Sequence, residues 1–573
     1  MDNAEVASVF AQIADFLDVL GENPFRVRAY RNAARIVEGL GEPITNLVKE
    51  APDEIEELPG IGADLAGKIV EIVKTGTHPL LVELRAKVPA GVIAIMGVPG
   101  VGPKRAKMFY DALGVASVAD LERAAKEQKL RALKGVGEKL EAKVLAGCAQ
   151  VATASGRMSL AEADRVIAAF AEHLRAADGV SDVTPAGSQR RRRETIGDLD
   201  LLVSASDAAS VTARVKAFPG VREVLASGET KCSVVLDRGT QSDVRIIPPE
   251  SFGAALVYFT GSKAHNIAMR ALALKQGLKV NEYGVFRGDA RIAGETEQDV
   301  YASVGLAWVP PELREDRGEI DAAQRRALPA LVALEDLRGD LRVRTIGDDG
   351  ARTPLADMAA ACKKRKRAWF AICDRARRAG GPTALDEAAL EARIGEIEAL
   401  REKVKGVHVL AGAEVDVLAD GSLDLPDALL ERLDVVFAAV HDERAMGEEA
   451  MTARVLRAIT HPRVSALAHP TGRRAVGASA PLALDFAKVA RAAAEHGVLL
   501  EIDARPDRLD LGEAQARAAH EAGATLVIDS VASTPDALDD LRYGLDVARR
   551  AWCTKAHVAN ALDHRALARR LRR

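Results

Sequence analysis

Hydrophobic and polar positions along the chain follow three regimes. Over the first 150 residues, apolar positions recur at helical spacing and are interrupted by glycine-containing turns. LPGIGADLAGKI (58–69), VPGVGPKRAKMF (98–109) and LKGVGEKLEAKV (133–144) each run through a G-h-G turn, h being apolar, into an amphipathic helix. Three copies are too many for chance. The second regime predicts a helix near 159–178, strand-like runs in DLDLLVSA, KCSVVLD and SDVRIIP, and helical pattern over 251–279. A polar, proline-containing stretch at 309–329 reads as a linker with some helix. Beyond about 335, strands are predicted at LRVRTI (341–346), AWFAICD (368–374), VHVLAGAEVDV (407–417), DVVFAAVHD (434–442), VSALAHP (464–470), VLLEIDA (498–504) and TLVIDS (525–530). Helical patterns separate most of them, which predicts parallel pairing in a barrel-like β/α domain. Asp374, Glu414, His441, His469, Asp503 and Asp529 stand at or near the carboxyl ends of these strands, where such a barrel keeps its chemistry.

At 573 residues the chain is too long for one core, and three to five domains are expected. The net charge of −4 does not by itself point to nucleic acid, so charge has to be read locally. The cysteines (Cys148, Cys232, Cys362, Cys373 and Cys553) are odd in number and form no CxxC pair, which suits a reducing compartment without structural disulfides. MDNAEVASVFAQIADFLDVL lacks the basic start and apolar block of a signal peptide. No apolar run approaches the length of a membrane span, so no membrane contact and a cytoplasmic, nucleoid-associated location are expected.

A G-h-G turn before a helix aims free N–H groups outward at the positive end of the helix dipole. One copy would be accounted for by helix capping alone. With three copies and nearby Lys104, Arg105, Lys107, Lys134 and Lys139, contact with the phosphate backbone is expected, without sequence preference and weakening with salt.

Four arginines in GSQRRRRETIGDLDLLV (187–203) precede two carboxylates spaced two apart, so that Asp198 and Asp200 share one face of the predicted strand. Asp243 opens a further strand-like run. Three converging acids repel one another unless cations intervene, and an oxygen-only donor set suits Mg2+ or Mn2+. Two such ions activate an attacking oxygen and hold a leaving phosphate. Unrelated surface acids would look the same in isolation. The flanking residues favour a site: Gly187 allows close approach, Ser188 offers hydroxyl and N–H to a terminal phosphate, and Arg191 can neutralise triphosphate charge.

This stretch resembles the palm motif of the family X DNA polymerases, and YFTGSKAHNIAMRALALKQGLKVNEYGVF (258–286) resembles the nucleotide-binding thumb segment of that family. The resemblance covers nearly the whole chain, including the C-terminal PHP (polymerase and histidinol phosphatase) domain of bacterial members. It implies α-helical N-terminal domains with helix-hairpin-helix motifs, an α+β nucleotidyltransferase palm and thumb, and a distorted (β/α)7 PHP barrel. The implied boundaries are 1–85 for a helical DNA- and 5′-phosphate-binding domain, 86–150 for helix-hairpin-helix fingers and 151–247 for the palm. The thumb follows at 248–317, a linker at 318–334 and the barrel at 335–573. Carried over by position, Asp198, Asp200 and Asp243 are the catalytic metal ligands, with Asp243 as base or ligand for the primer 3′-hydroxyl. Arg157, Gly187, Ser188, Arg191 and Gly197 hold the dNTP triphosphate. Tyr258, Phe259 and Gly261 shape the sugar pocket, Asn266 approaches the base and Arg270 the template strand. Lys263 is either a triphosphate contact or a solvated lysine. Gln241 stands where vertebrate members have an arginine beside the third aspartate, which implies weaker control of that carboxylate.

NPFRVRAYRNAARIVEGL (23–40) resembles the part of the family that grips a 5′-phosphate, with Arg26, Tyr30 and Arg31 matching its polar face. Lys68 falls on the Schiff-base lysine of members that excise 5′-deoxyribose phosphate, whereas Asp64 replaces an expected phosphate-binding lysine. Lyase activity and a plain helix-surface lysine both stay open here. The glycines expected at DNA are Gly60, Gly62, Gly100, Gly102, Gly135 and Gly137, together with a monovalent cation at these turns. The partners implied are gapped or primer-template DNA and dNTPs, with the protein a monomer.

Active PHP domains bind a cluster of usually three metals and often carry 3′→5′ exonuclease activity. Their HxH motif is represented here by Arg342 and Arg344, their Asp-His by Asp374 and Arg375, and their DxH by Asp529 and Val531. Asp349 still matches a motif acid, and Asp503 replaces a residue usually amide. Arginine cannot give up its proton to become a ligand, so a degenerate site is expected, its guanidiniums paired with leftover acids. The alternative is that Glu414, His441, His469 and Asp529 hold one Mn2+ and support weak exonuclease activity. Three functional readings follow: a gap-filling polymerase of DNA repair, a nuclease with a polymerase-like clamp, and a non-catalytic binder of gaps or ends.

Overall fold

The computed structural model describes residues 3–38, 44–50, 52–58, 60–98, 100–153, 157–476 and 481–571. Gly39 and Leu40 of the 23–40 segment, and Pro59 and Pro99 of the glycine turns, lie outside them.

The N-terminal 150 residues are helical, with long helices Asn3–Val19, Pro24–Glu38, Ala63–Thr75, Pro103–Leu113 and Glu138–Thr153. Apolar residues from Val6 to Cys148 form one continuous cluster, so the segments 1–85 and 86–150 share a core. The first glycine of each turn has positive φ (Gly60 93°, Gly100 96°, Gly135 83°), a backbone that disfavours a side chain. The second glycine, at 62 and 102, is the N-cap of the following helix and offers no side-chain cap, which leaves the first N–H groups free for an outside acceptor.

A five-stranded sheet follows, in the order Val180–Pro185, Leu199–Ala205, Gln241–Ile247, Lys231–Leu236, Val221–Ser227. Only the pairing of Leu199–Ala205 with Gln241–Ile247 is parallel. Helix Leu160–Arg175 buries Leu160, Ala163, Ile167, Phe170 and Leu174, one face at helical spacing, and belongs to the same apolar cluster as this sheet. The next unit carries helices Phe252–Thr260 and Lys263–Lys275 and a three-stranded sheet over 279–293.

Residues 309–334 depart from the expected linker. Arg314 and Glu319 are fully buried, Arg314 pairing with Glu297 (2.8 Å) and Glu319 with His265 (2.5 Å). Val332 N–H then donates to Cys553 O at 2.9 Å. The polar, proline-containing composition that reads as a linker with some helix includes internal ion pairs and anchors.

Beyond it, seven parallel strands run in sequence order: Gly339–Val343, Trp369–Ala376, His408–Asp416, Val435–Ala439, Ala466–Leu467, Leu499–Asp503 and Leu526–Asp529. Each overlaps a predicted strand. The backbone ladder stops between the last strand and the first. Side chains bridge this seam: Asp529 Oδ1 accepts from Leu341 N–H at 2.7 Å, and Asn560 Nδ2 donates to Gly339 O (2.9 Å) and Ile528 O (2.7 Å).

Candidate functional site

Asp198 is exposed immediately before strand Leu199–Ala205, and Asp200 is half-buried within it. The parallel register sets Asp200 opposite Asp243, while the antiparallel neighbour sets Ser233 opposite Asp243. Ser242 Oγ donates to Leu199 O at 2.8 Å and fixes that register. Burial, then the charges of Asp198 and Asp243, pushes the Asp200 carboxyl up to about 6. Burial acts on Asp243 in the same direction. Hydrogen bonds from Lys231, Ser233 and Gln241 outweigh it and hold that carboxyl below its ordinary range. Lys231 Nζ lies 2.7 Å from Asp243 Oδ2, and Gln241 Nε2 donates to Oδ1 at 3.2 Å. Lys231 is not among the residues expected from sequence. The signal was available: strand alternation in KCSVVL puts Lys231 and Ser233 on one face, and Lys231 lies diagonal to Asp243.

Gly187 has φ +58°, and a Cβ there would collide with Asp200 Oδ2. This is the position where close approach demands glycine, and Ser188 follows half-buried. Arg157 donates from Nε to Thr195 Oγ1 at 2.8 Å and lies against Gly197. Arg191 donates from Nε to Glu315 Oε1 (3.1 Å) and from Nη1 to Thr260 O (2.5 Å). Its neighbour Arg190 forms a two-point pair with Glu297 (2.7 and 2.9 Å) and also meets Thr260 Oγ1 at 2.7 Å. Glu297 and Glu315 were not foreseen; each is lowered to about 2, because paired arginines overcome its burial.

Tyr258 and Phe259 meet edge to face with centroids 5.0 Å apart, and the Arg245 guanidinium covers Phe259 at 4.2 Å. Gly261 has φ +69° beside Arg191. Asn266 donates from Nδ2 to Tyr258 O at 2.6 Å, which ties the two helices together. Lys263 and Arg270 are exposed.

In the N-terminal unit, Arg26, Tyr30, Gly62, Asp64 and Lys68 line a cavity of about 450 Å³. Tyr30 is only 3% exposed and its ring lies 6.0 Å from Phe10, so it belongs to the core more than to a polar face. Arg31 is not among the lining residues and pairs with Asp18 (2.6 Å) and Asp15 (3.3 Å). Asp64 forms an ion pair with Lys68. Lys104, Lys134 and Lys139 are exposed beside their glycine turns.

At the barrel centre the Arg342 side chain is fully buried among carboxylates. Nη1 donates to Glu414 Oε2 at 2.6 Å and Nη2 to Asp503 Oδ2 at 3.2 Å. Nε lies 2.8 Å from Glu501 Oε1, a close contact without hydrogen-bond alignment. Burial pushes Glu501 up to about 8; against the same burial, Arg342 holds Glu414 below its ordinary range, and Arg505 together with Arg342 does the same for Asp503. Glu414 Oε1 meets His441 Nε2 at 2.7 Å, so both its oxygens are engaged. Burial and nearby arginines keep His469 neutral.

Glu414, His441 and His469 bring ligand atoms within 4.8 Å of one another. Asp529 lies outside that compact group and meets the barrel seam through Oδ1, while its buried Oδ2 has no hydrogen-bond partner among the described residues. Asp374 accepts from Thr345 N–H (2.6 Å), Ile346 N–H (2.9 Å) and Arg393 (2.5 Å). Asp349 is exposed in a turn, Arg344 pairs with Asp348, and Arg375 pairs with Asp416. Among the described residues, the other compact group is His520, Cys553 and His557. Its two imidazoles stack, and one ring nitrogen of each is engaged, His520 Nε2 with Ala551 O at 2.7 Å and His557 Nδ1 with Thr554 N–H at 3.2 Å.

Three segments match known domain families: a helix-hairpin-helix domain over 1–78, a SAM-like helix-hairpin-helix tandem over 92–149, and the DNA polymerase beta thumb over 255–315. The DNA polymerase/3′-5′ exonuclease PolX of Bacillus subtilis (strain 168) is 33% identical over 568 residues, 98% of either chain. DNA polymerase lambda of Arabidopsis thaliana is 26% identical over 348 residues, 54% of this chain and 62% of that one. A probable phosphatase of Thermoanaerobacter sp. (strain X514) is 36% identical over 114 residues, 19% of this chain and 43% of that one. With its helical N-terminal unit, its thumb, and an acidic trio on a sheet ahead of a seven-stranded barrel, the chain belongs to the family X DNA polymerases of the PolX type.

Proposed function

We propose that the protein is a DNA-directed DNA polymerase that fills short gaps during repair. The observation that carries this reading is the register of Asp200 against Asp243, with Asp198 two residues away and Gly187 in contact range of Asp200. Three carboxylates share that patch with Lys231 and Arg245, and the burial and mutual repulsion that raise Asp200 are what divalent cations relieve. An oxygen-only set fits Mg2+ or Mn2+, and Asp198, Asp200 and Asp243 would hold the ions. Bound there, the metals supply charge neutralisation at the attacking and leaving oxygens.

The chain's own groups do the rest. Gly187 and Ser188 offer backbone and hydroxyl donors to the triphosphate, and Arg157 and Arg191 supply positive charge beside it. Tyr258, Phe259 and Gly261 form the wall against the sugar, and Asn266 holds that wall through the Tyr258 carbonyl. Lys263 and Arg270 extend the basic surface toward triphosphate and template. The primer 3′-oxygen attacks the α-phosphorus, the bond to pyrophosphate breaks, and the hydroxyl proton leaves toward the acidic cluster. Positioning and charge account for most of the acceleration. The glycine turns with Lys104, Lys134 and Lys139 grip the DNA backbone, and these turns would also be the place for a monovalent cation. The 450 Å³ cavity at Arg26 and Lys68 takes the 5′-phosphate across the gap. The Asp64–Lys68 pair occupies the amine that lyase chemistry would need free.

The barrel is read as structural. Arg342 takes the place of a cation between Glu414 and Asp503, and both Glu414 oxygens are spoken for. Incubation with DNA bearing a one-nucleotide gap and a 5′-phosphate tests the scheme. Metal-dependent incorporation of the templated nucleotide supports it. Strand shortening without synthesis supports a nuclease instead, and binding with neither supports a non-catalytic binder.

A further inference from the structure

We infer that the C-terminal barrel braces the triphosphate cradle of the polymerase, with Asp546, Glu513 and Arg550 as its positioning residues. This rests on the polymerase reading and goes beyond it by giving the barrel a role in nucleotide binding that needs no metal.

The run 190–194 connects the Gly187–Ser188 turn to Asp198, and the barrel grips it at successive residues. The short helix Gly187–Arg190 is closed by Arg193 N–H donating to Ser188 O (3.0 Å) and Arg192 N–H to Gln189 O (2.9 Å). Arg192 therefore occupies the left-handed position of this closure, with φ 57°, where glycine is the usual residue. A side chain kept in that conformation has to be over-determined by its surroundings. Here Asp164 holds Arg192 from the palm helix at 2.8 and 2.9 Å, and Asp546 holds it from barrel helix Leu541–Arg550 at 2.9 Å from Nε and 2.8 Å from Nη2.

Arg550, on the same barrel helix, has a side chain 1% exposed. Its Nη1 donates to Arg191 O at 2.5 Å, and its Nη2 reaches Glu315 Oε1 at 3.0 Å. That oxygen is the one that receives Arg191 Nε at 3.1 Å, so Arg550 fixes both the backbone of Arg191 and the counter-ion of its guanidinium. Glu513, on barrel helix Glu513–Glu521, contacts Arg550 Nε, Arg317 Nη1 at 3.0 Å and Arg193 Nη1 at 3.4 Å. Glu194 is held in turn by Arg473. Residues 191–194 thus each meet a barrel side chain. The gripping residues Asp546, Glu513 and Arg550 lie on the outer helices, separate from the strand ends that carry Glu414 and His441. Buried pairs of this kind are costly to break and hold one geometry.

The test is steady-state single-nucleotide incorporation into a one-nucleotide gap by the full chain, with thermal unfolding and gapped-DNA affinity measured for every variant. Arg550→Ala removes a fully buried charge and risks the fold, so Asp546→Asn and Glu513→Gln carry the test. A loosened cradle raises KM for dNTP about tenfold in each, with kcat and DNA affinity within about threefold of wild type. Asp546→Glu, which keeps the charge, brings KM most of the way back. Unchanged KM in both variants overturns the inference, as does a parallel loss of kcat, KM and DNA affinity that tracks lowered thermal stability. Absence of incorporation by the wild type overturns the polymerase reading and this inference together, whereas the other failures leave the polymerase intact.

Discussion

Lys231 Nζ lies 2.7 Å from Asp243 Oδ2, on the strand that flanks the third aspartate. Gln241, two residues before Asp243, reaches only the other oxygen, at 3.2 Å. The cation within hydrogen-bond range of Asp243 is thus supplied from across the hairpin, while Arg245, two residues after Asp243, covers the Phe259 ring. Lys231→Ala is expected to lower kcat by about 10–100-fold, the range of supporting contacts around metal ligands, with a smaller change in KM for dNTP. Lys231→Arg recovers a substantial part of kcat. Single-turnover incorporation with both variants checks this, and a Lys231→Ala enzyme with unaltered kcat would remove Lys231 from the site.

Asp200 carries a carboxyl pushed up to about 6 by burial and by its two acidic neighbours. A raised acid holds its proton more tightly in the folded state, and that proton competes with a metal ion. As pH falls through about 6, the site fills with protons, so apparent divalent-metal affinity drops, approaching about tenfold per pH unit below it. Metal titration of incorporation from pH 5 to 8 measures this. A flat profile would contradict the assignment of Asp200 as a ligand.

The glycine turns were legible because a G-h-G pattern heading an amphipathic helix specifies one local structure, and here it occurs three times. The seven barrel strands were legible because apolar runs alternated with helices. The partners of the four arginines were not. Arg190 meets Glu297 and Arg192 meets Asp546, contacts that span 107 and 354 residues. No local pattern encodes pairs so distant. The 309–334 segment differs from the expected linker for a related reason: Arg314 and Glu319 are buried with partners, Glu297 and His265, that the thumb brings in. Asp529 sits on the expected strand end, and the open ladder at the barrel seam takes one of its two oxygens, a tie no local pattern shows.

Lys104 is exposed at the start of helix Pro103–Leu113, beside the turn at Gly100 and Gly102. Lys104→Ala is expected to weaken binding to all DNA sequences equally and to reduce the slope of log affinity against log salt by about 1. Fluorescence anisotropy across a salt series reads both. A change confined to one sequence would contradict backbone contact.

Arg342 pairs with Glu414 and shares Asp503 with Arg505 inside the barrel. Removing it as Arg342→Met leaves buried carboxylate charge unpaired and is expected to cost about 3–5 kcal/mol of barrel stability. Divalent metal should restore part of that loss in the variant, because Glu414, His441 and His469 are then free to close on an ion. Denaturant unfolding with and without Mn2+ measures both effects. Equal Mn2+ stabilisation of wild type and variant would show that Arg342 does not block the site.

Asp198, Asp200 and Asp243 bear the central claim, and the most direct measurement replaces each by asparagine and follows nucleotide incorporation on gapped, 5′-phosphorylated DNA. Loss of a metal ligand removes several kcal/mol of transition-state stabilisation, so each variant is expected to fall by at least about 1000-fold in kcat. Gapped-DNA affinity should stay within about threefold of wild type, since the glycine turns and not the acids grip the backbone. Wild-type rates in the Asp200→Asn and Asp243→Asn proteins would contradict nucleotidyl transfer at this site.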